Sequence, residues 1–324
     1  MSSERPGLRS RSSGLCVVDK PTGMTSHDVV ARLRRIVGTR KVGHAGTLDP
    51  MATGVLVVGV ESATRLLGYI CADSKCYNAT IRLGQSTGTD DADGDVLTTT
   101  SAVHLTETQI RAAMVPLVGE IDQIPSSVSA IKLDGKRAYQ RVRAGEQVEI
   151  PARRVTVTRF DMLGIKTAGG QPSTDSEVGD SEVGDVIDVD IEVECSAGTY
   201  IRALARDVGS ALNVGGHLVS LRRTRVGRFD ISQACSLEEL AGLERPVMID
   251  LTAAVATQFP RRDLDSSQAA TLRHGVPLSG VGIAGPYGAF DPNGEVVALL
   301  SETGTAAADS ADGAARPLIV FPAA

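Results

Sequence analysis

The stretch Gly43-His-Ala-Gly-Thr-Leu-Asp-Pro50 gathers residue types that could do chemistry, and Asp49 is its one carboxylate. Pro50 lacks an N–H and biases Asp49 toward extended backbone angles. Gly43 and Gly46 admit positive φ and a close approach by a ligand. An apolar run of buried-strand length, Gly54 to Val60, follows. A carboxylate on a fixed turn beside such a strand is placed to be held rigidly and partly desolvated, as an acid, base or nucleophile requires. An ordinary Asp-Pro turn would read the same way, so the rest of the chain has to decide.

Two other positions carry chemical potential. Lys75 to Gly84 alternates as a strand, with Tyr77, Ala79, Ile81 and Leu83 on one face. Tyr77 there is either a plain core ring or an aromatic platform. Arg202 falls in the first turn of a helix that follows Ser196-Ala-Gly-Thr199. A cation at that end opposes the helix dipole by ~0.3–1 kcal/mol. The placement is better explained if Arg202 faces an anion, and Asp49 is a candidate; a side chain swung out to solvent is the alternative. The acidic loop Thr87 to Gly94 does not fit a calcium loop. Aligned on Gly94, its first and twelfth ligand positions are Thr89 and Thr100, where Asp and Glu are required. It reads as a polar turn with Asp91 as a candidate contact residue.

The elements that must position these groups follow from periodicity. Leu15 to Val18 is a strand. Thr25 or Ser26 caps a helix with Val29, Val30, Leu33, Ile36 and Val37 on one face and Gly38 at its end. Its other face shows Arg32, Arg34 and Arg35 and leads into Arg40 and Lys41, a basic approach to the Asp49 turn. Thr106 caps a helix whose apolar face runs from Ile110 to Val118, stopped by Gly119. Residues 121–154 are loop-rich and basic. Val155 to Phe160 is a strand, and Ile187 to Cys195 is a half-exposed one with Asp188, Asp190, Glu192 and Glu194 outward. Ile201 to Leu212 is a helix. His217 to Phe229 contains Leu221 and a second basic run, Arg222, Arg223, Arg225 and Arg228. Beyond residue 256, a helix over Ser267–His274, a hairpin turning at Asp291 to Gly294 and a strand from Pro317 to Phe321 describe a small, mostly β appendage.

Length and composition set the bounds. The chain has 324 residues, 42% hydrophobic and 22% charged, which is globular and enough for one large domain and a small one. No apolar run spans a membrane and the N-terminus has no secretory h-region. Five cysteines without a C-x-x-C pair suit free thiols in a reducing cytoplasm. The net charge of −6 is misleading: the Gly/Ser/Asp-rich stretch 167–185 contains five acids and no base, all but one unit of the total. Residues 1–48 hold nine Lys/Arg against three acids. Local positive surface of this kind attracts phosphate. No nucleotide-cofactor glycine fingerprint, H-E-x-x-H motif or Cys/His cluster is present. One carboxylate, a tyrosine, an arginine at a helix start and two basic runs fit an enzyme that handles one nucleotide of RNA.

At the level of whole motifs the sequence resembles the tRNA pseudouridine synthase B (TruB) family. Gly43 to Pro50 with Lys20-Pro-Thr-Gly-Met-Thr-Ser26 upstream, Lys75-x-Tyr77, Leu83-Gly84 with Thr87, Thr89 and Asp91, Ser129-Ala-Ile-Lys132 and Gly198-Thr-Tyr-Ile-Arg202 occur in the family's order. The resemblance covers roughly residues 14–245. It implies an α+β fold, a mixed and mainly antiparallel central sheet flanked by helices, with a small C-terminal β domain like the RNA-binding PUA domain. The resemblance implies a catalytic domain over 14–255 and the PUA-like domain over 256–324; composition reads residues 1–13 as a disordered arm and 167–185 as a disordered acidic insertion, both extra to the family pattern. The implied reaction is uridine-to-pseudouridine isomerisation at position 55 in the T-loop of tRNA. Asp49 would be the catalytic carboxylate, Tyr77 would stack on the flipped uracil, and Arg202 would pair with Asp49. His44, Tyr200, Leu221, Lys20, Asp91 and Lys132 would contact the substrate. The resemblance implies no cofactor and no metal, and tRNA as the partner through its T-loop and elbow. The expected state is a cytoplasmic monomer. Ser126 and Val128 depart from the family pattern, which often has proline and an aromatic there. Two other activities compete: a non-catalytic tRNA binder, and a small-sugar glycosidase using Asp49 with Asp91 as its second acid.

Overall fold

The computed structural model describes residues 12–126, 132–133, 136–137, 150–168, 186–303 and 313–323. The expected N-terminal arm up to residue 11, most of the basic 127–149 segment, the insertion from 169 to 185 and the loop at 304–312 lie outside the described residues.

In chain order the elements are β1 (Gly14–Lys20), α1 (Ser26–Val37), β2 (Val42–Ala45), β3 (Thr53–Val60), α2 (Leu67–Ala72), β4 (Lys75–Leu83), β5 (Gln85–Thr87) and β6 (Val96–Thr99). Then come α3 (Glu107–Met114), β7 (Gly119–Gln123), β8 (Lys132–Leu133), β9 (Lys136–Arg137), β10 (Arg153–Ala168), β11 (Val186–Cys195), α4 (Ile201–Ala211), β12 (Gly216–Val226) and β13 (Phe229–Asp230). The last part contains α5 (Leu237–Gly242), β14 (Ile249–Asp250), α6 (Leu251–Gln258), β15 (Arg261–Asp263), α7 (Ser266–Arg273), β16 (Leu278–Ser279), β17 (Tyr287–Phe290), β18 (Val296–Thr303) and β19 (Ala314–Val320). The chain divides into two compact units: Met1–Asp49, Val55–Cys71 and Arg228–Ala324 form one, and Pro50–Gly54 with Ala72–Gly227 the other.

In the first unit, β1 lies between β14 and β3, and β2 pairs antiparallel with β3. Thr25 caps α1 with a reciprocal Asp28 capping box, and Gly38 closes it in the left-handed region at φ 71°. The helix buries Val29, Val30 and Leu33 against Cys16, Val18, Leu56 and Val58 of the strands. Each such side chain stabilises the fold by roughly 1.5–3 kcal/mol on full burial. The unit also contains a five-stranded sheet in the order β15-β17-β18-β19-β16. Its core is Leu264, Leu272, Tyr287 and Leu300. The predicted hairpin turn is present between β17 and β18, where Asp291 Oδ1 accepts the N–H groups of Asn293 and Glu295.

In the second unit the strand order is β12-β4-β11-β10-β7, with all neighbours antiparallel. The first two residues of β3 join β12 in parallel, Thr53 beside Arg222 and Gly54 beside Arg223. The sheet is therefore mixed and mainly antiparallel, as expected. The strand at Val155 to Phe160 is longer than its sequence core, because β10 pairs with β11 as far as Ala168↔Val186. Ala168 and Val186, the described residues on either side of 169–185, are thus cross-strand partners. From Ile187 onward the burial of β11 alternates residue by residue. Its four acids are not simply solvated. Asp188 takes a bidentate pair from Arg82 at 2.8 Å, Asp190 meets Lys166 at 2.6 Å, Glu192 meets Arg159, and Glu194 meets Arg225 at 2.6 Å. Cross-strand pairs of this kind contribute about 0.2–1 kcal/mol each.

Two expectations need correction. The helix from Thr106 ends at Met114 and tightens into a 3-10 turn over Val115–Leu117, leaving Val118 exposed. Pro116 has no N–H to continue the helix. Gly119 does not simply stop a helix: at φ 97° it opens β7, an edge strand the composition had hidden. No helix among the described residues is long and apolar enough to cross a membrane.

Candidate active site

The Asp49 turn is built by the first unit. Strand β2 ends beside β3, with His44 opposite Val58 and Ala45 opposite Val57. The chain then reverses at Gly46, whose φ of 83° strains any other residue. Leu48 is 4% exposed. Its N–H donates to Ser26 Oγ at 2.9 Å and its carbonyl accepts from that hydroxyl at 3.1 Å. Ser26 is the buried first residue of α1, so the capped helix start fixes the peptide group next to Asp49. Asp49 itself is half-buried. The ring of His44 meets His27 edge-on at 5.5 Å. Lys20 is fully buried and its Nζ donates to Pro21 O at 2.8 Å, an ammonium inside the end of β1 and not a surface cation.

The second unit assembles Arg202. Tyr200, not Thr199, is the N-cap of α4, and it has no side-chain cap of its own. Gln123 of β7 does the work: its Oε1 accepts Tyr200 N–H at 2.8 Å and its Nε2 donates to Tyr200 O at 3.1 Å. Arg202 is the second residue of the helix and 5% exposed. Its Nη1 lies 3.2 Å from Asp91 Oδ2 and donates to Thr89 O at 2.9 Å. Ser126, where the family pattern often has proline, sits in the same cluster: its Oγ accepts from Arg202 at 3.4 Å and donates to Thr89 O at 3.0 Å. One turn along α4, Arg206 meets the neighbouring Asp90 at 3.3 Å. Burial pushes the Asp90 carboxyl up, with the Arg206 cation opposing it. Two arginines one turn apart thus grip two adjacent aspartates. Within this unit Asp91 is an anion that the Arg202 cation faces. A carboxylate buried against a guanidinium is poorly placed as the second acid of a glycosidase.

Tyr77 is 7% exposed and stands on β4 between Val193 of β11 and Arg223 of β12. Neighbours in register share a face, so Arg223 and Tyr77 lie on the same side of the sheet. Arg223 is 1% exposed. Of the second basic run only Arg228 is exposed; Arg225 is held by Glu194 and Cys76. The reading of that run as phosphate-attracting surface is therefore corrected: strand alternation sends Arg223 inward. Gly54, beside Arg223, has φ 98°, and a Cβ there would meet Arg223 O at 2.2 Å. Leu221 is buried opposite Ala79, two residues along from Tyr77. Lys132 opens β8 opposite Arg137 of β9. Among the described residues no three His, Cys, Asp or Glu side chains gather as a metal site.

Comparison with known proteins adds the following. A family model described as TruB family pseudouridylate synthase (N terminal domain) matches residues 34–201. Models described as tRNA pseudouridylate synthase B C-terminal domain and tRNA pseudouridine synthase II, C terminal, match residues 202–246 and 259–322. A tRNA pseudouridine synthase B of Mycobacteroides abscessus is 56% identical over 293 residues, covering 90% of this chain and 93% of that protein. One from Rhodococcus jostii is 53% identical over 303 residues, covering 93% and 94%. Among solved structures, a chain of a Cbf5-Nop10-Gar1 complex superposes with a TM-score of 0.70 at 28% identity, covering 98% of this chain and 88% of that one. A chain of an H/ACA RNP bound to a substrate RNA containing 2′-deoxyuridine gives a TM-score of 0.68 at 27% identity, covering 96% and 85%.

Proposed function

The chain belongs to the TruB family of pseudouridine synthases, and from that premise we infer that it isomerises uridine to pseudouridine in tRNA, at position 55 of the T-loop. The observation that carries this reading is the 56% identity over 90% of the chain to a tRNA pseudouridine synthase B. The rigid support of the Asp49 turn by Ser26 and of Arg202 by Asp91 is what such a reaction asks of a scaffold.

A uridine stacked in a loop must be turned out before its glycosidic bond can be reached, and an aromatic face offsets the stacking it loses. Tyr77 is our candidate for that face. Asp49 supplies the carboxylate that triggers cleavage, either as a nucleophile at the sugar carbon or as a base taking a sugar proton. The N1–C1′ bond breaks, uracil turns within the site, C5 bonds to C1′, the C5 proton leaves and N1 takes one up. Substrate and product are isomers, so neither an oxidant nor water is consumed. In this scheme Arg202 supplies the positive charge of the site, and His44, Tyr200 and Leu221 shape the space for the loop and its base. The C-terminal β sheet contributes RNA contacts in the manner of a PUA domain. We place the protein in the cytoplasm as a monomer.

The test uses an unmodified tRNA transcript with tritium at uridine C5. The protein should pass tritium to water, and Asp49→Asn should stop the release while leaving thermal unfolding unchanged. No release by the unaltered protein from any tRNA would overturn the assignment.

A further inference from the structure

A cleft of about 460 Å3 opens in the first unit where α1 ends, lined chiefly by Arg34, Arg35, Arg40, Lys41, Thr39 and Glu61. All four bases are exposed. Glu61 is the one acid, and it serves the fold. Its backbone N–H donates to Lys41 O at 2.8 Å, and its carboxylate accepts Thr39 Oγ1 and sits 3.8 Å from Lys41 Nζ. Glu61 thus pins the turn to the end of β3 and offsets one cation of four. Arg34 donates to Val42 O at 3.2 Å, a neutral acceptor that leaves its charge in place. Among the described residues Arg35 and Arg40 form no ion pair. Arg32, on the same helix, is paired with Glu238 at 2.8 Å.

Helix stability accounts for part of this cluster. Arg34 and Arg35 lie in the last turn of α1, where a cation gains ~0.3–1 kcal/mol from the dipole. That effect fades past the last turn, and Arg40 and Lys41 come after Gly38 has closed the helix. Four like charges around one cleft repel each other unless an anion occupies it. The cleft also has a fixed relation to the Asp49 turn. Strand β2 begins one residue after Lys41 and runs toward that turn for four residues, roughly 13 Å. The eight residues from Lys41 to Asp49 can span at most about 29 Å.

We propose that this cleft is a phosphate-backbone site for the RNA that carries the target uridine. Arg34, Arg35, Arg40 and Lys41 hold phosphodiesters of the stem adjoining the reacting loop. Guanidinium groups suit phosphate oxygens through paired, charge-assisted hydrogen bonds. Such contacts fix register and orientation without reading sequence. The proposal rests on the reading of the chain as a tRNA-modifying enzyme and assigns its substrate a second anchor, separate from the reacting nucleotide.

The experiment measures affinity for a tRNA transcript over a series of salt concentrations, and tritium release with enzyme in saturating excess. Arg35→Gln with Arg40→Gln should weaken binding about tenfold or more at low salt and make the salt dependence shallower by about one to two in log–log slope. The release rate at saturation should stay within about twofold, so the loss appears in KM and not in kcat. Arg40→Ala alone, outside any helix or strand, should lower the slope by about one. Arg32→Gln should leave it unchanged. An unaltered slope in both cleft variants, or an equal fall in Arg32→Gln, would overturn the proposal. The functional assignment fails separately, if the unaltered protein binds the transcript yet releases no tritium. A protein that does not bind the transcript overturns both.

Discussion

Arg202 Nη1 stands 3.2 Å from Asp91 Oδ2, and both side chains are less than a tenth exposed. Asp91 is itself braced: Oδ1 accepts Asp93 N–H at 3.2 Å and the Thr89 hydroxyl. Breaking a buried ion pair by removing one partner costs about 3–5 kcal/mol. Asp91→Ala should lose that amount in urea unfolding, a large share of the ~5–15 kcal/mol typical of a folded domain. Asp91→Asn keeps an acceptor for Arg202 and should lose less. Equal stability of Asp91→Ala and the unaltered protein would show that the pair does not hold the Thr89–Asp91 loop.

Ser26 should behave as a positioning residue for Asp49. Its hydroxyl accepts from the N–H of Leu48 and donates to the carbonyl of Leu48. Ser26→Ala removes them at about 0.5–1.5 kcal/mol each. The larger consequence is on rate, because a displacement of about 1 Å in a reacting group costs roughly 100-fold. We expect kcat for tritium release to fall about 10- to 100-fold with KM little changed. A fall in KM-dependent binding with kcat intact would place Ser26 in substrate contact instead.

These two supports were legible to different degrees. Helix α1 was readable because its signals are local: Thr25, Asp28 and Gly38 all act within the helix. The alternation of β4 and β11 was readable for the same reason. The contact between Arg202 and Asp91 was not, because Asp91 lies far away in sequence and only the folded sheet brings its loop to α4. Gln123 as the cap of Tyr200 was hidden similarly, on a strand that among the described residues pairs with β10 alone and begins at a glycine resembling a helix stop. Arg222, Arg223 and Arg225 look alike in a string of bases. Strand pairing is what buries Arg223 and ties Arg225 to Glu194.

The cysteines should separate by reactivity. Burial pushes the Cys16 thiol up to about 12 and the Cys195 thiol up to about 11, so neither supplies much thiolate at neutral pH. Cys71 and Cys235 are half-buried, and none of the five cysteines is in a disulfide. Brief alkylation of the folded protein at pH 8, read by peptide mass spectrometry, should label Cys71 and Cys235 well ahead of Cys16 and Cys195. Early labelling of Cys16 would mean that β1 opens readily.

In the C-terminal sheet Glu302 should impose an acid limit on stability. Its Oε1 accepts Val281 N–H at 2.8 Å and the Tyr287 hydroxyl at 2.9 Å, and its Oε2 accepts Gly282 N–H at 3.0 Å. The Val281 bond leads a set of donors that holds the carboxyl below its usual value, with desolvation opposing them. A folded pKa below the unfolded one means that the unfolded chain binds more protons between the two. The stability Glu302 adds is therefore complete above about pH 4.3, the ordinary glutamate value, and is lost as pH falls through the lower folded value. Glu302→Gln cannot titrate. The urea midpoint of the unaltered protein should exceed that of Glu302→Gln at pH 6, and the gap should close as pH falls below about 4. A gap that stays constant from pH 6 downward would show that the carboxylate is not what clamps the Val281–Gly282 turn.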